Sequence, residues 1–316
     1  MGYFTQVIVN PSSANGATQK RWPEFRGALD GVLDRWDDVF TQSPKQATEL
    51  ARAAVQADYE MLVCVGGDGT TSEVITGLFE PDPLGIKSQL IRDDVILGPI
   101  RAGTGGDFAR YLGLGHKLPA AVAHLQGTAT RPCDLGILEY TTHDGEWART
   151  AFLNITSFGL SGMVDQKVNS SSKALGGTTS FLIALGKALM AYRPAKVRIR
   201  VDDEELYAGE MMTCTVANAQ YFGGGMRFAP DAEIDDGLFD VVVQTSAGMR
   251  EYMKIRDLYT GKLKQWPTVR VAQGRVIEAL PEQDEPVLLD VDGEPIGRLP
   301  ARLQIVPNAI RIKTAV

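Results

Sequence analysis

One stretch constrains this chain more than any other. Residues 61–77 read MLVCVGGDGTTSEVITG: five consecutive apolar residues, then a glycine pair, an aspartate, a third glycine, two hydroxyls and a helical pattern. An uninterrupted apolar run of this length, bounded by glycine and followed by a helix, is the signature of a strand buried on both faces of a parallel sheet. In such sheets ligands gather beyond the carboxyl ends of the strands. Glycines there let backbone N–H groups approach phosphate oxygens, and the helix that follows presents unpaired donors at its positive end. Asp68 would repel phosphates by itself, so a Mg2+ between carboxylate and phosphate is the arrangement that explains an acid at this place. The competing reading makes Asp68 an ordinary helix N-cap. GxxxxGK[ST] is missing, so the loop is not a Walker A motif.

The rest of the first 130 residues repeats the rhythm. TQVIVN, a helix near 20–35, DDVFTQ, a helix near 44–58, MLVCV, a helix from about 70 and VILGPI alternate as an α/β domain with a mainly parallel sheet. From about residue 131 the texture turns to period-two alternation in CDLGILEY and ARTAFLNITSFG, joined across THDGE, and later in AKVRIRVDDEE, GEMMTCTVANA, LFDVVVQ and RLQIVPNAIRIK. The expected organisation is an α/β domain over 1–130 and a mostly β domain over 131–316. One helical stretch interrupts the second domain. Its segment SFLIALGKALMAY, residues 180–192, is read as a core helix or as an apolar contact for a membrane.

Composition excludes several classes of function. The 316 residues carry a net charge of −7 with no basic run, so a nucleic-acid footprint is absent. Cys64, Cys133 and Cys214 form no CxxC pair, which speaks against a disulfide framework or structural zinc and for a reducing compartment. The three histidines lack metal-ligand spacing. MGYFTQVIVNPSS has no signal-peptide character and no window of about 18 apolar residues occurs, so the expected location is cytoplasmic.

Further motifs join the first. GPIRAGTGGDFAR repeats the logic of a strand running into glycines and an acid, with Gly103, Thr104, Gly106 and Asp107. NPSSANG follows the first strand, where Asn10, Ser12 and Ser13 are candidate phosphate donors. In FAPDAEIDDGLFDV the acids suggest an oxygen site for a cation. It is not an EF-hand, since glycine falls at the seventh place and Val242 stands where the closing glutamate belongs. LLDVDGEPIG reads as a hairpin turn at Asp292-Gly293 followed by Glu294.

In this order, NPSS, GGDGT, GTGGDFAR, GGGM with FAPDA and DDG, and DGE, the chain resembles the diacylglycerol kinase catalytic family of lipid kinases, especially its bacterial members. The resemblance covers residues 5 to about 312. It implies a nucleotide-binding domain over 1–130 like that of NAD kinase and phosphofructokinase, a lipid-binding β-sandwich over 131–316 whose last strands can return to the first domain, and an ATP- and Mg2+-dependent transfer of phosphate to a lipid hydroxyl presented by a membrane. It assigns ATP to Asn10, Thr41, Gly66, Gly67, Asp68, Gly69, Thr70, Thr71, Ser72, Glu73, Gly103 and Thr104. Asp68 would also hold the catalytic Mg2+, and Glu294 would be the general base. A second, structural ion falls on Glu233 and Asp236, with the Leu238 carbonyl. Asp134 and Asn154 are supporting groups. Diacylglycerol is the expected acceptor, with ceramide, a sphingoid base or another acylglycerol as alternatives. The protein would visit the bilayer transiently, and a homodimer is compatible with the family. Two features depart from the family pattern: Gly106 replaces the usual asparagine, and the first loop is long, displacing the basic residue to Lys20 or Arg21. A non-catalytic ATP-binding module is the alternative of another class, against which the presence of both Asp68 and Glu294 speaks. NAD kinase would want an NNE-type motif after GGDGT, and none is present.

Overall fold

In the computed structural model, residues 2–101, 106–115, 117–163, 192–245 and 255–314 are described. The chain forms two compact units, Met1–Leu135 with Val306–Val316, and Gly136–Ile305.

The first unit is built on parallel strands. They are β1 (Phe4–Val9), β2 (Arg35–Phe40), β3 (Met61–Gly66) and β6 (Ile96–Arg101), with helices α1 (Ala17–Asp30), α2 (Gln46–Gln56) and α3 (Asp68–Gly77) in the crossovers. The strand order is β6-β3-β1-β2, all parallel. Beyond β6 the end of the chain pairs in parallel, Arg311 with Ile96 and Ile312 with Leu97. Every residue of β3 is buried, as a central parallel strand requires, whereas the edge strand β2 carries Arg35, Asp37 and Asp38. Val7, Val9, Val63, Val65 and Ile100 pack with Trp22, Phe25 and Leu29 of α1. Each such side chain, fully buried, contributes about 1.5–3 kcal/mol. Ile8, Leu62 and Cys64 alternate to the other face and are equally buried. Between α3 and β6 the chain makes a hairpin, β4 (Phe79–Asp82) and β5 (Gly85–Leu90), which the sequence pattern does not announce because prolines at 81 and 83 break its alternation. Short helices α4 (Asp107–Tyr111) and α5 (Leu118–Val122) follow β6.

The second unit is antiparallel. It uses β7 (Thr130–Thr142, from Gly136), β8 (Trp147–Phe152), β9 (Ile155–Gly159), β10 (Ala195–Val201), β11 (Glu204–Met211), β12 (Thr213–Ala217), the short pair β13 (Tyr221–Phe222) and β14 (Met226–Arg227), β15 (Phe239–Gln244), β16 (Val269–Gly274), β17 (Val276–Pro281), β18 (Leu288–Val291) and β19 (Glu294–Lys313, to Ile305). One run is ordered β16-β15-β12-β9-β18-β19, and another joins β11, β10, β17 and β19. Long β19 serves both, pairing with β18 through Glu294–Arg298 and with β17 through Ala301–Gln304. Phe158, Cys214, Val216, Phe239 and Val241 from the first run pack with Val197, Ile199, Ile277 and Leu303 from the second, the interior of a sandwich. The α/β unit and the β-sandwich are the fold class expected from the sequence. The segment 180–192 lies outside the described residues, apart from Tyr192.

Candidate active site

In the order β6-β3-β1-β2, β1 is followed by a crossover to one side and β2 by a crossover back over β1 to the other. The carboxyl ends of β1 and β3 therefore flank the topological switch point, where open α/β sheets bind ligands. Asn10 follows β1, and Gly66 ends β3 with Gly67 and Asp68 next. Asn10 Nδ2 donates to Thr70 Oγ1 at 2.9 Å, and Asn10 Oδ1 accepts from the Ser12 N–H at 3.0 Å. Asn10 thus clasps the two loops together. Ser13, a candidate phosphate donor, turns inward: its hydroxyl donates to the Asn10 carbonyl at 2.9 Å and meets the Thr18 hydroxyl at 2.5 Å. Buried Thr41 extends the β1–β2 ladder, its N–H donating to Val9 at 2.9 Å.

The two glycines of the pair do different work. A Cβ on Gly66 would stand 2.6 Å from the Thr70 side chain, so this glycine serves the turn; a Cβ on Gly67 would meet nothing within 4 Å. The second glycine borders open space at the start of α3. Gly67 is the N-cap of α3, Gly106 is the N-cap of α4, and neither helix has a side-chain cap. Asp68 and Asp107 accordingly stand at the first position of their helices. The simple N-cap reading of Asp68 therefore fails. Instead Asp68 Oδ2 accepts the Gly106 N–H at 2.9 Å, bringing the GGDGT loop and the second glycine-rich segment together. Gly106 is left-handed, with φ of 83°. Asparagine, the usual residue here in the resembling family, is among the few that tolerate such a backbone, so the replacement is conformationally consistent. Buried Asp107 lies 3.5 Å from Arg110 Nε, a pair that the sequence reading left out although the repeated glycine-acid pattern marks it.

The remaining members of the set divide. Thr71 donates to the Gly67 carbonyl at 3.3 Å and to Cys64 Sγ at 3.5 Å, while burial pushes the Cys64 thiol up to about 12 and keeps it neutral beneath the loop. Glu73 caps α2: its carboxylate accepts the Lys45 and Ala47 N–H groups at 3.0 and 3.2 Å. That carboxylate positions a helix in a way the sequence did not reveal. Gly69 and Ser72 lie in the first turns of α3. Gly103 and Thr104 lie outside the described residues. Lys20 is on α1, and Arg21 is ion-paired with Glu24.

In the second unit Glu294 is exposed at the start of β19, directly after the turn Asp292-Gly293. Glu233 and Asp236 are exposed, and Asp236 Oδ1 accepts the Leu238 N–H at 2.9 Å. Among the described residues no three His, Cys, Asp or Glu side chains are grouped to hold a metal. A cation on this loop would complete its shell with backbone carbonyls and water. Asn154 Nδ2 donates to the Tyr221 carbonyl at 2.9 Å. In the first unit, Asp134 Oδ1 accepts the Asn308 N–H at 2.6 Å. Both side chains hold backbone. No helix among the described residues is long and apolar enough to cross a membrane.

Residues 5–138 match the diacylglycerol kinase catalytic domain and residues 154–314 match the YegS C-terminal NAD kinase beta sandwich-like domain. A curated diacylglycerol kinase from Bacillus subtilis (strain 168) is 27% identical over 299 residues, covering 93% of this chain and 91% of the relative. A protein from Alcanivorax borkumensis named "Probable lipid kinase YegS-like" is 26% identical over 268 residues, covering 84% and 82%. A solved structure of a diacylglycerol kinase from Bacillus anthracis str. Sterne superposes with a TM-score of 0.70 at 20% identity, covering 99% of this chain and 97% of that one, a likeness of fold. With both domain types matched in sequence, the chain belongs to the diacylglycerol kinase catalytic family of lipid kinases, in the form that carries a YegS-type β-sandwich.

Proposed function

We propose that this chain is an ATP- and Mg2+-dependent lipid kinase that transfers the γ-phosphate to the hydroxyl of diacylglycerol, yielding phosphatidic acid. It works from the cytoplasm during transient contact with the membrane. The observation that carries the reading is the Asp68–Gly106 hydrogen bond, because it joins two glycine-rich loops around a carboxylate at the sheet's switch point. Open space over Gly67 and a half-buried Asp68 fit a Mg2+ that takes most of its ligands from phosphate and water. Such an ion supplies neutralisation of the charge on the phosphates. The chain's residues do the rest.

In this reading the phosphates lie at the positive N-terminal end of α3, where a helix start favours an anion. Asn10 and Thr70 keep the β1 and β3 loops together. Glu294 accepts the proton of the lipid hydroxyl as its oxygen bonds to the γ-phosphorus and the bond to the bridging oxygen breaks, releasing ADP. Glu233, Asp236 and the Leu238 carbonyl would hold a second ion that stabilises their loop.

The decisive experiment incubates the protein with labelled ATP and Mg2+ and a panel of diacylglycerol, ceramide, sphingoid base, monoacylglycerol and NAD. Labelled phosphatidic acid is expected. Labelling of another lipid would move the acceptor; labelled NAD, or ATP binding without any turnover, would overturn the reading.

A further inference from the structure

The turn that precedes Glu294 is held from outside its own hairpin. Asp292 and Gly293 have φ of 49° and 82°, the two left-handed residues of a type I′ turn, and Val291 pairs with Glu294 across it. On its other edge β18 pairs with β9 as far as Val291 opposite Thr156. The next position completes the ladder in an unusual way. Asp292 N–H donates to the Ile155 carbonyl at 2.9 Å, while Ile155 N–H donates to Asp292 Oδ1, also at 2.9 Å. A side-chain oxygen stands in for the backbone carbonyl that a continuing strand would offer. Ile155 is itself 1% exposed and packed in a core cluster, so the anchor is fixed. Two residues earlier, buried Asp290 accepts the Ser157 hydroxyl of the same strand at 2.5 Å.

The chain after Glu294 is equally constrained. Asp290 pairs with Pro295 and Leu289 with Gly297, leaving Ile296 as a bulge. A Cβ on Gly297 would stand 2.3 Å from the Thr141 carbonyl, so this segment has no room to shift. Bulges re-aim side chains beside functional positions.

We infer that Asp292 is the positioning residue for Glu294: its side-chain oxygen, through the Ile155 N–H, sets where the backbone of Glu294 stands during phosphoryl transfer. The inference rests on the reading of Glu294 as general base. A base displaced by about 1 Å loses on the order of 10²-fold in rate, so an anchor of this kind acts on turnover and not on nucleotide binding.

Two substitutions separate the acceptor from the turn. Asp292→Asn keeps an oxygen acceptor, and Asn-Gly is a preferred type I′ pair; Asp292→Gly tolerates the left-handed backbone but removes the acceptor. With diacylglycerol and Mg·ATP, Asp292→Asn is expected within about threefold of wild-type kcat, and Asp292→Gly lower by roughly 10- to 100-fold, with KM for ATP within about twofold. In a double-mutant cycle, Asp292→Gly placed on Glu294→Gln should cause almost no further loss, because the removed base has nothing left to position. The proposal is overturned if Asp292→Gly stays within threefold of wild type, if its loss adds in full to that of Glu294→Gln, or if Asp292→Asn falls as far as Glu294→Gln. The last outcome is decisive even if Asp292→Gly does not fold. Glu294→Gln alone reports on the base assignment: near wild-type turnover there would refute that assignment, independently of the contrast between the two Asp292 variants.

Discussion

Asp68 and Gly106 are joined by a 2.9 Å hydrogen bond from the Gly106 N–H to the Asp68 carboxylate, across 38 residues of sequence. The bond ties the carboxylate at the start of α3 to the N-cap residue of α4. It also separates the structural use of Asp68, which needs only an acceptor, from its proposed use with a cation, which needs the charge.

That separation makes Asp68→Asn informative. The amide oxygen can still accept from Gly106, so the melting temperature should change little, while turnover falls by roughly 10²-fold or more as for loss of an electrostatic group at a phosphoryl site. Calorimetry should show wild-type ATP binding that depends on Mg2+ and variant binding that does not. Equal ATP affinity of the wild type with Mg2+ and with excess chelator would count against the metal role.

Glu294→Gln should abolish most turnover and leave ATP binding intact. A lipid hydroxyl is a poor nucleophile at neutral pH, and a positioned carboxylate that takes its proton is worth about 10²- to 10⁴-fold. Because the residue is exposed, the stability change should stay within about 0.5 kcal/mol. Retention of more than about a tenth of the wild-type rate, against that same general-base estimate, would remove Glu294 from the role.

At Gly106 the left-handed backbone sets the outcome. Gly106→Ala keeps the N–H donor but should destabilise by about 1–2 kcal/mol, the cost of a left-handed conformation for a residue with Cβ, whereas Gly106→Asn should cost less. Urea denaturation of the two variants ranks them directly. An alanine variant as stable as wild type would mean that the turn relaxes.

Stability should also fall in mild acid through His124. This side chain is 1% exposed, and burial, helped by the charge of Lys313, lowers its pKa from 6.5 to about 4. Between those values the unfolded chain binds the proton and the native one does not, so stability is full above pH 6.5 and declines as pH falls toward 4. From pH 7 to 5 the loss attributable to His124 is about 2 kcal/mol. Denaturation curves at the two pH values should show the wild type losing that much more stability than His124→Gln. Equal losses would show that His124 is protonated or solvated in the native state.

Much of this is legible in the sequence itself. Apolar runs ending in glycine, followed by helical periodicity, identify parallel βα units, and local geometry alone places Asn10, Gly67 and Asp68 at strand ends. The Asp-Gly pair before Glu294 likewise announces its hairpin. What local pattern cannot carry is which strands become neighbours. That β1 lies beside β3, that Asn10 reaches Thr70, that Asp68 meets Gly106 and that Asp292 completes the ladder of Ile155, 137 residues away, all depend on sheet order. Glu73 shows the same limit, since the family resemblance puts it on the nucleotide while its carboxylate caps α2. Periodicity in sequence specifies which face of an element is apolar and which residues end it. The partners of its polar groups are chosen only when packing brings distant backbone donors within 3 Å, as it brings the Gly106 N–H to the Asp68 carboxylate.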